Sequence, residues 1–321
     1  MLTAVITGVT GQDGSYLSEL LLEKGYTVHG IVRHTTQNIY ETNIPKSVIK
    51  NEKFIIHYAD IEDVSSLTNV FKCLSGPIEV YNLAAQSHVG ISFSCPTTTL
   101  TTNMIGTSNL LETIRQCNLI SNVRFYQAST SEMFGKVHDI PQTENTVFHP
   151  RSPYGVSKLA AHMMVQNYRE TYNMFACNGI LFNHESPRRG SNFVTQKIVK
   201  GMMNVFTNNE VLELGNIESK RDWGHAKDYV KAMWLMLQQS EPSDYIVASG
   251  EQHSVRDFVE SVVSTYNKSI VWEGSGVQEV GKVDGNVVVK INEEFYRPCE
   301  VDTLLGDPSK IKSIGWVQEY S

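Results

Sequence analysis

Thr3-Ala4-Val5-Ile6-Thr7-Gly8-Val9-Thr10-Gly11-Gln12-Asp13-Gly14 opens the chain with an apolar, β-branched run and then sets glycines at 8, 11 and 14. The run reads as a strand. The periodicity from Tyr16 to Lys24 reads as a helix, closed by Gly25, a residue type that tolerates positive φ. Glycine permits a tight turn between strand and helix and lets backbone N–H groups approach a pyrophosphate at the positive end of the helix. A glycine-rich turn without a ligand has the same spacing, so it is the place at the first strand–helix junction that points to a dinucleotide. Gly8, Gly11 and Gly14, with Gln12 and Asp13 between them, are candidate cofactor residues.

Outward from this loop the alternation continues. Thr27–Arg33, Phe54–Tyr58, Val80–Leu83, Val123–Ala128 and Ala176–Phe182 read as strands, and Val64–Leu74, a stretch around Met104–Gln116 and Tyr154–Tyr172 as helices. Such alternation implies a parallel sheet covered on both faces. After Phe182 the pattern loosens into shorter elements, as expected of a lobe built on the sheet edge where ligands of such sheets sit. The expected fold is α/β, a Rossmann-like doubly wound parallel sheet with a smaller α/β substrate-binding lobe. Residues 1–183 with about 222–250 form the cofactor domain in this reading, and about 184–221 with 251–321 form the lobe.

The end of the second strand bears on which dinucleotide fits. An NAD site usually places Asp or Glu about 20 residues beyond the glycines, to hold the ribose 2′-hydroxyl. From Val28 to Asn38 there is no carboxylate, and Arg33 offers a guanidinium suited to a 2′-phosphate. NADP is therefore expected, although Arg33 also fits a solvated strand end. Leu83 and Ala84, where the fourth strand ends, join the candidate cofactor contacts. Asp60, after the third strand, is placed either to reach the adenine amino group or to serve as a loop carboxylate.

With 27 Lys+Arg against 34 Asp+Glu over 321 residues, the formal charge of −7 speaks against nucleic acid or anionic membrane as a partner. The five cysteines are an odd number with no CxxC pair, so buried thiols in a reducing compartment are expected rather than disulfides or a zinc ribbon. No apolar run approaches the ~18 residues of a membrane span, and the N-terminus lacks the layout of a secretory signal. A cytoplasmic protein is expected. The histidines form no HExxH and no ligand-like pair on a helix face, so no metal site is expected. Within this acidic chain, the 22 residues from Arg188 to Asn209 carry Arg188, Arg189, Lys197 and Lys200 and no carboxylate, which suits a small anionic ligand in the lobe.

Tyr154-Gly155-Val156-Ser157-Lys158 puts Tyr and Lys at i and i+4, on one face of a helix. A neighbouring ammonium favours the phenolate, so Lys158 is expected to lower the Tyr154 pKa and let the phenol work as a base near neutrality. Lys158 can also bond the nicotinamide ribose. Just before this helix stands Ala128-Ser129-Thr130-Ser131-Glu132.

TGxxGxxG, YxxxK and a preceding Ser/Thr together resemble the extended short-chain dehydrogenase/reductase family. The resemblance implies that the hydroxyl, here Thr130, binds the substrate oxygen being oxidised while Tyr154 takes its proton. Glu132 narrows the likeness. A sugar 4-epimerase only removes and returns a hydride at C4, whereas a 4,6-dehydratase must also take the C5 proton and protonate the departing C6 hydroxyl. One carboxyl group serves both in turn. Ser131-Glu132 looks like the GDP-mannose 4,6-dehydratase group of that family; a helix-start carboxylate with a purely structural role is the other reading of Glu132. Further stretches carry the same likeness: TGVTGQDGSYL at 7–17, EVYNLAAQSHV at 79–89, RFYQASTSEMFG at 124–135, HPRSPYGVSK at 149–158, ACNGILFNHESPRRG at 176–190, RDWGHAKDYV at 221–230 and YRPCEVDTLLGD at 296–307.

The resemblance implies GDP-mannose as substrate and a redox-neutral cycle giving GDP-4-keto-6-deoxymannose. It implies that Asn183, Lys197, Arg221 and Arg297 hold the diphosphate and ribose, with Glu300 near the nucleoside. Arg189 is a further cation for the diphosphate, although surface Arg and Lys are usually solvated or weakly paired. Ser87 touches the sugar or caps a turn. Members commonly dimerise through the helix that here shows Val156, Leu159, Ala160 and Met163 and through the one before it, so a homodimer or homotetramer is expected. Relatives often carry a second Arg after the Arg33 position and another in the following loop, where a neighbouring subunit's cofactor is contacted. Here the chain reads His34-Thr35-Thr36-Gln37, with no further Arg before Arg115, which bears on tetramer assembly. Relatives also continue past the position of Gly315-Trp316 into further helix. The rival readings are an epimerase or 4-keto reductase of the same fold, the latter also as a side activity, and a non-catalytic NADP-sensing regulator. Glu132 argues against the epimerase, and the Tyr/Lys pair against the regulator.

Overall fold

The computed structural model describes residues 2–34 and 38–320. Thr35-Thr36-Gln37, read above for its missing arginines, lies outside them. Among the described residues, seven strands form one sheet in the order Asp244–Val247, Phe175–Leu181, Val123–Thr130, Ile78–Asn82, Thr3–Thr7, Thr27–Val32, Phe54–Tyr58, with every neighbouring pair parallel. Parallel strands buried on both faces need apolar residues on both, and two cores fill that need. One gathers Ile6, Leu17, Leu21, Tyr229 and Met233; the other gathers Val5, Phe71, Leu110, Ile114 and Val165. The sheet order reverses beside Thr3–Thr7, and the C-terminal strand ends around that point carry the glycine loop and Ser129–Glu132. A crevice at such a reversal is where open α/β sheets bind ligands.

The six strands expected from sequence are all present, Thr3–Thr7 and Phe54–Tyr58 with the expected ends and the other four within two residues of theirs. Two differences have physical causes. The first helix starts at Gln12 rather than Tyr16, because extended Gly11 is its N-cap and Gly14 lies in its first turn. A Cβ on Gly14 would come within 2.5 Å of the Gly8 carbonyl oxygen, so this glycine serves close packing of helix on loop. The seventh strand, Asp244–Val247, is too short to show a period, and its partner Phe175–Leu181 is remote in sequence.

The later part of the chain builds a second layer. Val271–Glu273, Val280–Val283, Asn286–Ile291 and Leu212–Leu214 form a four-stranded sheet. The helices Val194–Asn208 and Val255–Ser264 pack on it around a separate core that includes Ile198, Met202, Val259 and Val289. Asp222 fastens the loops between the two parts. It is fully buried and accepts hydrogen bonds from Ser249 N (2.7 Å), Ser249 Oγ (2.7 Å), Gly250 N (3.0 Å) and Gly306 N (3.3 Å). Burial pushes its carboxyl pKa up, and these four donors work in the other direction. Asp222→Ala strands the buried Gly306 N–H and frees the part-buried Ser249 and Gly250 N–H groups, and is expected to cost roughly 2 kcal/mol, read as a lower urea midpoint at unchanged slope.

Candidate active site

Two adjoining clefts run along the C-terminal edge of the large sheet. The first, of about 650 Å³, is lined by Gly8, Gly11, Gln12, Asp13, Gly14, Arg33, Asp60, Leu83 and Ala84, which are the candidate cofactor residues outside the Tyr/Lys helix. The second, of about 670 Å³, is lined by Thr130, Glu132, Tyr154 and Lys158, and by Ser87, Asn183, Arg189, Lys197, Arg221, Arg297 and Glu300. Asp13, Leu83, Ser87 and Arg189 line both, so the clefts are continuous. Residues drawn from distant parts of the sequence thus share one groove.

The first cleft has the form of a cradle for a phosphate-linked dinucleotide. Gly8 sits at φ +65°, where a Cβ would meet the backbone of Leu83 and Ala84 within 2.9 Å. The helix Gln12–Glu23 has no side-chain cap, which leaves the groove beside its N-terminus unobstructed by a capping group. The backbone N–H groups of Leu83 and Ala84 both donate to Thr7 Oγ1 at 3.0 Å, fixing the opposite wall. At the far end Arg33 and His34 are exposed, and Asp60 Oδ1 accepts the Glu62 N–H.

Two of the expected cofactor side chains are committed elsewhere. Gln12 donates to the His184 carbonyl oxygen and accepts from Ser186 Oγ, and Asp13 Oδ2 lies 2.8 Å from His184 Nε2. Burial raises the Asp13 carboxyl while His184 and Gln12 lower it, and lowering wins. These side chains stitch the glycine loop to the short strand Asn183–Glu185, which pairs in parallel with Trp223–His225.

In the second cleft Thr130 ends the strand Val123–Thr130 and accepts the Glu132 N–H at 3.3 Å. Its hydroxyl stands by the phenol of Tyr154, from the first turn of the helix Pro153–Tyr172, close enough to act on that phenol's acidity. Gly155 lets that turn press onto the Glu132 carbonyl oxygen, which a Cβ would meet at 2.8 Å. The pairing therefore brings hydroxyl, phenol and carboxylate together at one strand end.

The expectation that Lys158 lowers the Tyr154 pKa is corrected by the structure. Burial pushes Tyr154 up to about 12; the Thr130 hydroxyl and Arg189 act against this, and Glu132 with it. Lys158 donates to the Ala128 carbonyl oxygen at 3.0 Å, and burial brings its own pKa down to about 8. Spacing placed both groups on one face, but burial outweighs that proximity.

On the lobe side, Arg221 is buried and its Nη2 lies 3.3 Å from Glu300 Oε1. Lys197 Nζ stands 3.4 Å from the centroid of the Phe295 ring, and the Arg189 guanidinium stacks 3.8 Å over Phe193. Sequence reasoning did not single out His184, Phe193 or Phe295. His184 belongs to NHESPRRG, a stretch noted for its likeness, so a signal for it existed; Phe193 and Phe295 had none.

A family model described as GDP-mannose 4,6 dehydratase matches residues 5–321. The GDP-mannose 4,6 dehydratase of Drosophila melanogaster is 52% identical, covering 99% of this chain and 82% of that protein. Its Homo sapiens counterpart is 52% identical over 98% of this chain and 86% of the relative. The Vibrio cholerae GDP-mannose 4,6-dehydratase is 50% identical, with 99% and 90% covered. Among solved structures, a dTDP-glucose 4,6-dehydratase from Streptomyces venezuelae superposes with TM-score 0.82 at 20% identity, covering 99% of this chain and 92% of its own. A UDP-glucuronic acid 4-epimerase from Bacillus cereus gives 0.83 at 21%, covering 99% and 95%. The latter two share the fold.

Proposed function

The chain belongs to the GDP-mannose 4,6-dehydratase family, and from that membership we propose how its groove takes water out of GDP-mannose to give GDP-4-keto-6-deoxymannose. The observation that carries the reading is the meeting of Thr130, Tyr154 and buried Glu132 at the end of one strand, facing the cations of the lobe. Residues 1–183 with about 222–250 hold the cofactor, and residues 184–221 with 251–321 hold the nucleotide sugar. A bound nicotinamide dinucleotide supplies the hydride acceptor for C4 and later the donor for C6, ending as it began. Thr130 orients the 4-oxygen and Tyr154 receives its proton. Glu132 then takes the C5 proton, which the C4 carbonyl has made acidic. The electron pair left at C5 forms the C5=C6 bond and expels the C6 oxygen, which leaves as water with the proton from Glu132; as C6 then receives the hydride, C5 takes back the proton that Tyr154 drew from the 4-hydroxyl. Asn183, Arg189, Lys197, Arg221 and Arg297 hold the diphosphate and ribose, Glu300 stands by the nucleoside and Ser87 by the sugar.

NADP is the cofactor in this reading. Arg33 and His34 stand exposed at the end of the first cleft, and no carboxylate lies between Val28 and Asn38 to hold a free 2′-hydroxyl. The chain works as a homodimer through the outer face of the helix Pro153–Tyr172, where Val156 is 46% and Met163 57% exposed, continued by Ile105 at 44%. Among the described residues no helix is long and apolar enough to cross a membrane. The free thiols of Cys73, Cys95, Cys117, Cys177 and Cys299 fit a reducing compartment, the cytoplasm.

Incubating the purified protein with GDP-mannose, dTDP-glucose and UDP-glucose is expected to give loss of water, by mass spectrometry, from GDP-mannose alone. Chromatography of nucleotide released on denaturation is expected to show NADP. Water loss from another nucleotide sugar only, or release of NAD only, would overturn the substrate or the cofactor assignment respectively.

A further inference from the structure

Glu132 does not face the groove alone. Its Oε1 lies 3.6 Å from Arg297 Nη1, and the same Nη1 lies 3.6 Å from Glu300 Oε1. Both separations exceed hydrogen-bond length, and Nη1 is buried with no hydrogen-bond partner. Arg221 is differently placed: it donates to the Lys220 carbonyl oxygen and to Glu300, which fixes it in the wall of the lobe. Arg297 is thus a cation shared between two carboxylates and bonded to neither, with one of the two belonging to the strand end that carries the chemistry.

Arg297 is also about one third exposed, more open to the groove than Arg221. We propose that Arg297 is a positioning residue for Glu132, beyond any hold on the diphosphate: its unpartnered guanidinium nitrogen holds the carboxylate turned toward the sugar for removal of the C5 proton. The proposal rests on the role given to Glu132 above. It separates the two halves of the reaction, because C4 oxidation uses Thr130 and Tyr154 and does not call on Arg297. In elimination the C5–H bond breaks toward Glu132 Oε1, its electron pair forms the C5=C6 bond, the C6–O bond breaks, and the proton leaves with the oxygen as water.

The test compares wild-type holoenzyme with Arg297→Gln and Arg297→Lys at saturating GDP-mannose. It follows nicotinamide reduction by absorbance, water loss by mass spectrometry and deuterium uptake at C5 in heavy water. Arg297→Gln is expected to slow water loss by about 100-fold, a general-base-sized effect. Reduced cofactor should still form, slowed less than water loss, and then accumulate, with deuterium uptake reduced. Arg297→Lys, which restores a point charge without the planar fork, is expected to recover part of the rate. If Arg297→Gln does not fold, Arg297→Lys carries the test through the same accumulation in milder form. A variant whose KM rises while its saturated rate holds, with no build-up of reduced cofactor, would make Arg297 an anchor for phosphate only and overturn the proposal. Wild-type protein that leaves GDP-mannose intact would instead overturn the function on which the proposal rests.

Discussion

Tyr154→Phe is expected to stop the reaction before any hydride has moved, so that mixing with GDP-mannose produces no reduced nicotinamide absorbance and kcat falls about 1,000-fold. The ring remains, buried against the same neighbours, so the melting temperature should change little; what is lost is the oxygen that receives the 4-hydroxyl proton. Lys158 does not take over, since its ammonium is held on the Ala128 carbonyl oxygen. Thr130 does not either, because a hydroxyl of ordinary acidity orients the sugar oxygen without accepting its proton for long. Phenylalanine has the same ring but no oxygen to take that proton, so it offers no substitute. A Tyr154→Phe protein that reduced bound cofactor at the wild-type rate would remove Tyr154 from the mechanism.

Glu132→Gln is expected to fail later and in a different way. The amide fills the same space, so binding and C4 oxidation should proceed, but it cannot take the C5 proton. Water loss should fall by about 1,000-fold while reduced cofactor stays on the protein as a lasting absorbance. The variant also takes a charge from a crowded corner: Arg297 then has Glu300 as its remaining close carboxylate, and Arg221 loses a supporting charge. Breaking such a buried arrangement from one side is expected to lower stability, by roughly 1–3 kcal/mol in urea unfolding. Full dehydration by Glu132→Gln would refute the role assigned to Glu132. The two variants stop on opposite sides of hydride transfer, so one absorbance trace distinguishes them.

How much of this was readable beforehand varies with the distance over which each feature is built. The glycine loop and the strand Val123–Thr130 were legible because β-branched runs and glycine spacing are local signals. Tyr154 and Lys158 were legible as neighbours because i and i+4 fall on one helix face in any protein. Their electrostatics were misjudged, since burial and the turn of Lys158 toward Ala128 depend on the sheet beneath them. The strand Asp244–Val247 was missed because four residues show no period and its hydrogen bonds go to a remote strand. The approach of Arg297 to Glu132 links the two ends of the fold, and no spacing rule reaches so far along a chain.

The separate core beneath the lobe carries an evolutionary consequence. Thr130, Glu132, Tyr154 and Lys158 are rooted in the large sheet and the helix against it, whereas Lys197 stands on a helix packed around Ile198, Met202 and Val259, and Arg297 and Glu300 follow the small sheet in sequence. Mutations in that second core therefore reach the grip on the nucleotide, and the approach of Arg297 to Glu132, without passing through the packing that roots Thr130, Tyr154 and Lys158. Drift in the lobe can thus retune the hold on the activated sugar and the elimination step, while the groups that oxidise C4 keep their places in the large sheet.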